Sequence, residues 1–454
     1  MLKIKVKKGH NINIAGVASR EILAPQKNDS VSLSPENFRY IKPKLLVKEN
    51  DVVKLGDPIF FDKLCPEVKW PAIASGKISK IVYGERRSIK EIIFNVDTSL
   101  ESEHSSSQQK KLYNTRGEFD TTNKDDVVNY LLEKNMWPFI TQRPFNKVAN
   151  PSDNPKSIIV SLANTAPLSV DYNFTLSSNK DTIVSALANL KKLTAGKLFV
   201  AVNPGEFDYL SDLDFVDVIQ VEGPHPAGNV GVVLNHISPI NSKDVVWTVQ
   251  GHHLPILGKL FSDGLFDPSI TINLSGPAVN DPSYFKSRIG ASLESYCKGN
   301  VSSNQVRIIS GDVLTGKQST MNGYLGFYHS SISVIEESFD RSFIGWFHPG
   351  GSSRYSVFNA YLGSNKAPYK FTTLQNGSHR AFVPIGAWEK VFPMNIYINA
   401  LLRSIEANDF EEMEQLGIYE CDEEDVALCS FVCPSKTDVG EIIRKGLDTI
   451  YFDQ

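Results

Sequence analysis

The feature that most constrains this chain is a change of hydrophobic period near Asp125. Before it, apolar residues come in short β-type runs, Lys44-Leu45-Leu46-Val47, Pro58-Ile59-Phe60-Phe61, 76–82 and 91–96. Turn-forming strings such as Glu49-Asn50-Asp51 and Tyr83-Gly84-Glu85-Arg86 break them. After it, Val127, Val128, Leu131 and Leu132 repeat at helical spacing until Trp137-Pro138. Buried-type strands at 157–163, 197–202 and 216–221 then alternate with a helical face made by Ile183, Leu187 and Leu190. The first hundred residues therefore read as all β, and the next stretch as a helix-covered parallel sheet.

Further along, strands at 269–274 and 306–309 enclose a short helix around Ser292-Leu293-Glu294-Ser295-Tyr296, the pattern of a small α+β module. A Gly- and aromatic-rich stretch with Trp346-Phe347-His348-Pro349 precedes a helical end, marked by Met394, Ile398, Leu401, Leu402 and Ile405 and then by Ile442, Ile443 and Leu447. The polar run at 100–111 reads as a connector. The expected divisions are 1–100, 101–257, 258–330 and 331–454, in a multidomain α/β and α+β chain.

Length supports this: 454 residues at about 150 per domain make roughly three folded units. Hydrophobic residues at 41% and charged residues at 22% exclude disorder, collagen-like repetition and coiled coil. A net charge of -4 gives no general attraction for nucleic acid. No stretch approaches the roughly 18 apolar residues of a membrane-spanning helix, so a membrane role would be peripheral. The start, Met1-Leu2-Lys3-Ile4-Lys5-Val6, alternates like a strand and lacks a secretory core. The odd cysteine count, with Cys421, Cys429 and Cys433 crowded together, fits a reducing cytoplasmic compartment.

Several motifs invite chemistry. Glu222-Gly223-Pro224-His225-Pro226-Ala227-Gly228 follows a strand of the α/β region, where open sheets bind ligands, so Gly223, His225 and Gly228 mark a possible ligand loop. Its two prolines remove donors that a phosphate cradle would use, which equally suits a rigid turn. Cys429-Ser430-Phe431-Val432-Cys433-Pro434 resembles the close of a bacterial iron-sulfur run, yet with Cys421 it is one ligand short, and Cys65 and Cys297 lie far away. Gly251-His252-His253, read as strand, would turn its histidines to opposite faces, and His348 has no second histidine near it, so no metal is expected. Nucleophile-elbow, phosphate-loop and zinc-protease signatures are missing from the sequence.

The text 47–57 with Pro71-Ala72-Ile73-Ala74-Ser75-Gly76-Lys77-Ile78 resembles a lipoyl-like barrel-sandwich hybrid, with Lys63 near the hairpin that carriers acylate. The carriers' flanking methionines are missing, so Lys63 reads as a solvated turn lysine. Together with Thr141-Gln142-Arg143-Pro144-Phe145-Asn146-Lys147-Val148, Leu274-Ser275-Gly276-Pro277-Ala278-Val279 and 423–434, the order of modules resembles one family over essentially the whole chain. It is the A-subunit family of sodium-translocating NADH:quinone reductases, related to the C-subunit of Rnf-type complexes and to the complex I flavoprotein subunit.

The resemblance implies a Rossmann-like α/β domain, a β-grasp-like module of the soluble-ligand-binding type and a C-terminal helical region. It implies a peripheral subunit on the cytoplasmic side of the bacterial inner membrane, associated with quinone. Partner subunits, including integral membrane ones, are implied to carry NADH, flavins, iron-sulfur centres and sodium. Where flavin-binding relatives have a Gly-rich loop, this chain has 142–148 without glycine, so no flavin, NADH or cluster is expected in it. Phe38, Tyr40, Arg143 and Phe145 supply the residue types a quinone head requires. The competing readings are an independent soluble flavin-dependent NADH dehydrogenase and an acyl-carrier-like protein using Lys63.

Overall fold

In the computed structural model, which describes residues 2–24, 26–102, 122–302, 305–340, 343–347, 349–350, 354–358 and 367–453, the strands sort into four sheets. Most of the polar run expected as a connector, and His348, lie outside the described residues. The first two strands, β1 (Leu2–Lys5) and β2 (Ser19–Leu23), do not stay with the β-rich text that follows them. Each joins a sheet built later in the chain.

Next come β3 (Ser30–Leu33), β4 (Pro43–Leu45), β5 (Val52–Val53), β6 (Pro58–Asp62), β7 (Lys69–Pro71), β8 (Gly76–Tyr83) and β9 (Ile89–Val96). They form two sheets, β3-β9-β8-β5 and β4-β6-β7, that share one core. Alternation fixes the faces: Ile92 and Phe94 of β9 are buried. A register shift between Ile78 and Lys80 lets Ile78 and Ile81 of β8 both turn inward at a spacing of three. Phe60 stacks on Trp70 with centroids 4.7 Å apart, and Phe38 meets Trp70 edge-on at 5.1 Å.

The α/β region supplies β10 (Ile140–Arg143), β11 (Lys147–Val148), β12 (Ser157–Ser161), β13 (Lys197–Val202), β14 (Asp217–Glu222) and β15 (Val246–Val249). With β1 they form a seven-stranded sheet in the order β1-β14-β13-β12-β15-β10-β11. Its centre is parallel, while β10 pairs antiparallel with β15 and β11. The expected N-terminal strand is real and is an edge of this sheet: Leu2 pairs with Ile219 and Lys5 with Glu222.

Successive residues of these strands point to opposite faces, and both faces are apolar. Ile158, Val160, Leu198 and Val200 face the core that holds helices Lys180–Lys192 and Leu254–Asp263. Gly258 lets those helices touch, since a Cβ there would lie 1.9 Å from the Thr182 carbonyl oxygen. Ile159, Phe199, Ala201 and Ile219 face a second core. Helix Val230–Ile237 and the C-terminal helices Ile398–Ala407, Glu423–Val432 and Val439–Asp453 fill it. The C-terminal region is thus the second cover of the α/β sheet.

β16 (Ser269–Ser275), β17 (Ser283–Arg288), β18 (Val306–Ser310), β19 (Lys317–Ser319) and β20 (Ser331–Glu336) join β2 in a six-stranded sheet, β19-β18-β20-β16-β17-β2. One local expectation is corrected: Gly251–His253 is a 3-10 turn, not strand. The chain leaves β15 at Val249 and, with Pro255 near the start, turns into helix Leu254–Asp263. Both rings are buried with centroids 4.2 Å apart.

Candidate functional site

The seven-stranded sheet has a switch point. From β12 the chain winds outward through β13 and β14 on one side, while β15 lies on the other, so the carboxyl ends of β12 and β15 diverge. Open sheets hold ligands at such a place. A cleft of about 740 Å³ opens there. Ser161 at the end of β12 and Asn164 after it border the cleft, with Gln250 and His252 after β15 and His225 and Gly228 after β14. The β-domain contributes Asn37 and Arg39, the six-stranded sheet Asp312 and His329, and the C-terminal helices Asp422, Glu424 and Arg444.

Of the expected ligand loop, His225 and Gly228 therefore line the cleft. Gly228 brings the loops after β14 and β12 together, since a Cβ would lie 1.6 Å from the Ala163 carbonyl oxygen. Gly223, at φ 152°, packs instead on the residue after β1, where a Cβ would meet the Val6 carbonyl oxygen at 2.4 Å. His225 is buried, its Nδ1 is 3.2 Å from Thr165 Oγ1, and its Nε2 has no partner. Burial lowers its pKa to about 4, against the pull of Asp312.

The four quinone candidates do not meet at one point. Phe38 is a core residue, ringed by Phe60, Trp70, Phe327 and Tyr328. Tyr40 and Phe145 do meet, in an aromatic nest closed by the C-terminal helix. Tyr40 stacks on Tyr451 at 3.9 Å, and Phe145 lies 6.3 Å from Tyr40 and 5.3 Å from Tyr451. The Tyr40 hydroxyl donates to Asp448 at 2.5 Å and accepts from Arg444 at 3.0 Å. The turn between β10 and β11 is tight without any glycine: Phe145 and Asn146 themselves take φ of 77° and 50°.

Arg143 borders the cleft and is already engaged. It is buried, and its guanidinium lies 2.6 Å from Glu424, 3.4 Å from Asp422 and 3.5 Å from Asp425. Those carboxylates sit at the start of helix Glu423–Val432, where Asp422 and Asp425 form a capping box. A helix N-terminus favours negative charge, and Arg143 completes the balance. Burial opposes the charge on Arg143, and Asp422 and Glu424 overcome it, so the proton is held more firmly than in water. Burial likewise opposes ionisation of Asp422, but Arg143 and Arg444 prevail and hold it below the usual carboxylate range. Asp425, fully enclosed, is pushed well up by burial. Arg444 pairs with Asp422 and Glu423, and Arg39 with Glu423.

The remaining candidates stand apart. Lys63 is exposed in the turn after β6, its amide held by the Lys42 carbonyl at 2.9 Å. Cys421, Cys429 and Cys433 are buried free thiols in the C-terminal core, and burial raises Cys421 and Cys429. Cys297 is buried and pushed up to about 12, and half-buried Cys65 to about 11 by burial and then Glu67. No group of three metal-ligating side chains occurs among the described residues. Sequence reading missed Asp312, His329, Gln250, Arg39 and Arg444. Arg39 lies between Phe38 and Tyr40 and Gln250 precedes Gly251-His252-His253, but Asp312, His329 and Arg444 stand in no short motif, and the five reach the cleft from segments distant in the chain. The acidic run beside Cys429 was visible, but nothing local tied it to Arg143.

The description NqrA N-terminal barrel-sandwich hybrid domain fits residues 4–97, NqrA second alpha/beta domain fits 122–266, and NQRA C-terminal domain fits 271–321. The A-subunit of the Na(+)-translocating NADH-quinone reductase from Hahella chejuensis is 36% identical over 451 residues, covering 98% of this chain and 99% of its own. The A-subunits of the same reductase from Yersinia pseudotuberculosis and Vibrio atlanticus are 35% identical over 452 residues and 34% identical over 450, with the same coverage. Among solved structures, an NAD+-reducing NiFe-hydrogenase in the H2-reduced state overlaps 48% of this chain and 50% of its own at 11% identity, with a TM-score of 0.36. The barrel-sandwich β-domain, the mixed α/β architecture and identity along nearly the whole length agree. The chain belongs to the A-subunit family of the Na(+)-translocating NADH-quinone reductase.

Proposed function

We propose that this chain is the peripheral, quinone-associated subunit of a sodium-translocating NADH-quinone reductase. It docks on the cytoplasmic side of membrane-embedded partners and carries no flavin or iron-sulfur centre of its own. The observation that carries this reading is the charge balance of the cleft. Its arginines, Arg39, Arg143 and Arg444, are each paired with carboxylates of the C-terminal helices. No free cation remains among them for a pyrophosphate, while Asp312 adds negative charge to the same wall. A flavin or dinucleotide phosphate would meet net repulsion there. An uncharged quinone would not.

No helix among the described residues is long and apolar enough to cross a membrane, which supports a docked arrangement. The strand order around the switch point supports reading the α/β sheet as Rossmann-like, and the parallel β16–β20 pair flanked by antiparallel β17 and β18 supports reading the six-stranded sheet as β-grasp-like. Affinity capture of the tagged chain from detergent-solubilised membranes tests the proposal. The expected result is co-elution of sodium-dependent NADH-quinone reductase activity, with the chain alone colourless and inactive. Stoichiometric flavin in the isolated chain, or quinone reduction by NADH on it alone, would overturn the reading in favour of an independent dehydrogenase.

A further inference from the structure

We propose that the central cleft binds an uncharged ring bearing two hydrogen-bond acceptors, held between the Nε2–H groups of His225 and His329. The quinone of the preceding section is its occupant. The inference rests on that reading and gives it a site.

Two relays of the same design carry it. On the α/β wall the Gly228 amide donates to Thr165 Oγ1 at 3.2 Å, and Thr165 Oγ1 lies 3.2 Å from His225 Nδ1. Among the described residues these are the contacts of this hydroxyl, so its own proton finds an acceptor only when it donates to Nδ1. In a neutral imidazole the ring proton then sits on Nε2. On the wall formed by the six-stranded sheet the Gly326 amide donates to Ser310 Oγ at 2.9 Å, which lies 2.8 Å from His329 Nδ1. The same reasoning puts the His329 proton on Nε2. Thus both walls present a fixed N–H donor to the cleft that His225 and His329 border.

Two imidazole nitrogens of the cleft are left without a partner. His225 Nε2 is buried with no partner, and His252 Nε2 in the same cleft is likewise unpaired, its Nδ1 lying 3.3 Å from the Tyr172 hydroxyl. Buried polar atoms are nearly always bonded, so unpaired ones at a cleft wall mark where a ligand's atoms belong. Burial keeps both relay rings neutral, with Asp312 opposing it in each case. Asp312 is itself fixed by the Leu314 and Thr315 amides at 2.7 and 3.0 Å, so its charge stays at the wall and repels anions. The outward N–H groups disfavour cations. A neutral molecule with two carbonyl oxygens satisfies both conditions, and Tyr172 supplies an aromatic face for its ring.

The test titrates the full chain with a short-chain, water-soluble benzoquinone, followed by quenching of tryptophan fluorescence. His225→Phe and His329→Phe should each weaken binding by roughly tenfold, the loss of one hydrogen bond, while the Gln variants, which keep an N–H in place, should stay within about threefold. Unchanged affinity in both Phe variants, with parental circular dichroism, would overturn the assignment and leave the quinone reading standing with its site elsewhere. A parent chain that binds no quinone would instead overturn the reading on which the assignment rests. Tighter binding of flavin mononucleotide than of quinone, lost in the same variants, would overturn the claim of an uncharged ligand. Isotope-labelled histidine NMR needs no variant: His225 and His329 should both show the Nε2–H tautomer, and the Nδ1–H tautomer would overturn the relays.

Discussion

The two polar walls of the cleft handle burial in opposite ways. Around Arg143 burial is offset by ion pairing: Asp422, Glu424 and Asp425 surround one guanidinium, Arg444 and Arg39 take up further carboxylates, and only Arg143 Nη1, Asp425 Oδ1 and Arg444 Nε among the buried atoms of these groups lack a hydrogen bond. The rings of His225 and His329 are instead held through Nδ1 by neutral hydroxyls, with Asp312 as a nearby charge, and Nε2 of His225 is left unanswered. The charged wall joins segments far apart in the chain and works as structure. The neutral wall has bonding capacity to spare. A conspicuous arginine is therefore the poorer guide to the ligand, because a buried charge must be satisfied by the fold before any ligand arrives.

The largest effect separating the walls should come from Arg143→Ala. It strands Asp422 and Asp425 in the interior, and unfolding in urea should show a loss of about 3 to 5 kcal/mol. A loss below about 1 kcal/mol would mean that the charged wall is not what joins the C-terminal helices to the sheet.

Acid should act next, and first on the neutral wall. The folded-state pKa of His225 lies below its ordinary 6.5, at about 4. The folded chain therefore binds fewer protons than the unfolded one between these values, and stability present above 6.5 is lost as the pH falls toward 4. The full difference corresponds to roughly 3 kcal/mol. Asp422, held below its ordinary value, adds its loss only at lower pH, as the solution approaches its depressed folded pKa. Thermal melts of the parent and His225→Phe between pH 7 and pH 4 check this, and the variant should lose less. Equal slopes would remove His225 from the account.

Tyr40→Phe sharpens the comparison at the aromatic nest. The hydroxyl's bonds to Asp448 and Arg444 disappear while the stack on Tyr451 remains. The expected cost is about 1 kcal/mol in a denaturation curve, with quinone affinity unchanged. A tenfold loss of quinone binding would move the ligand to this nest. The smallest effect is expected for Lys63→Ala, within about 0.5 kcal/mol, because the residue is exposed in a turn. Loss of reductase activity in that variant would revive the carrier reading.

Much of the architecture was legible because it is local. The strand runs of the β-domain, the helix over Lys124–Glu133 and the alternating elements of the α/β sheet stand where period and turn residues place them. What pairs with what was less legible. The strand Leu2–Lys5 carries no mark of its partner, Asp217–Glu222, and nothing near Arg143 announces Glu424, 281 residues later. His225 stood out through its loop, whereas His329 has meaning only through Ser310 and the cleft it shares. Phe38 and Tyr40 are two residues apart, yet one faces the β-domain core and the other the C-terminal helix. Composition cannot separate such neighbours; the fold does.

The most direct test is a crystal structure of the full chain grown with the short-chain benzoquinone. The account predicts ring density at the switch point between β12 and β15, its two carbonyl oxygens within hydrogen-bond distance of Nε2 of His225 and His329, and Arg143 still paired with Glu424. Density instead between Tyr40 and Phe145, or a guanidinium of Arg143 turned from its carboxylates onto the ring, would contradict it.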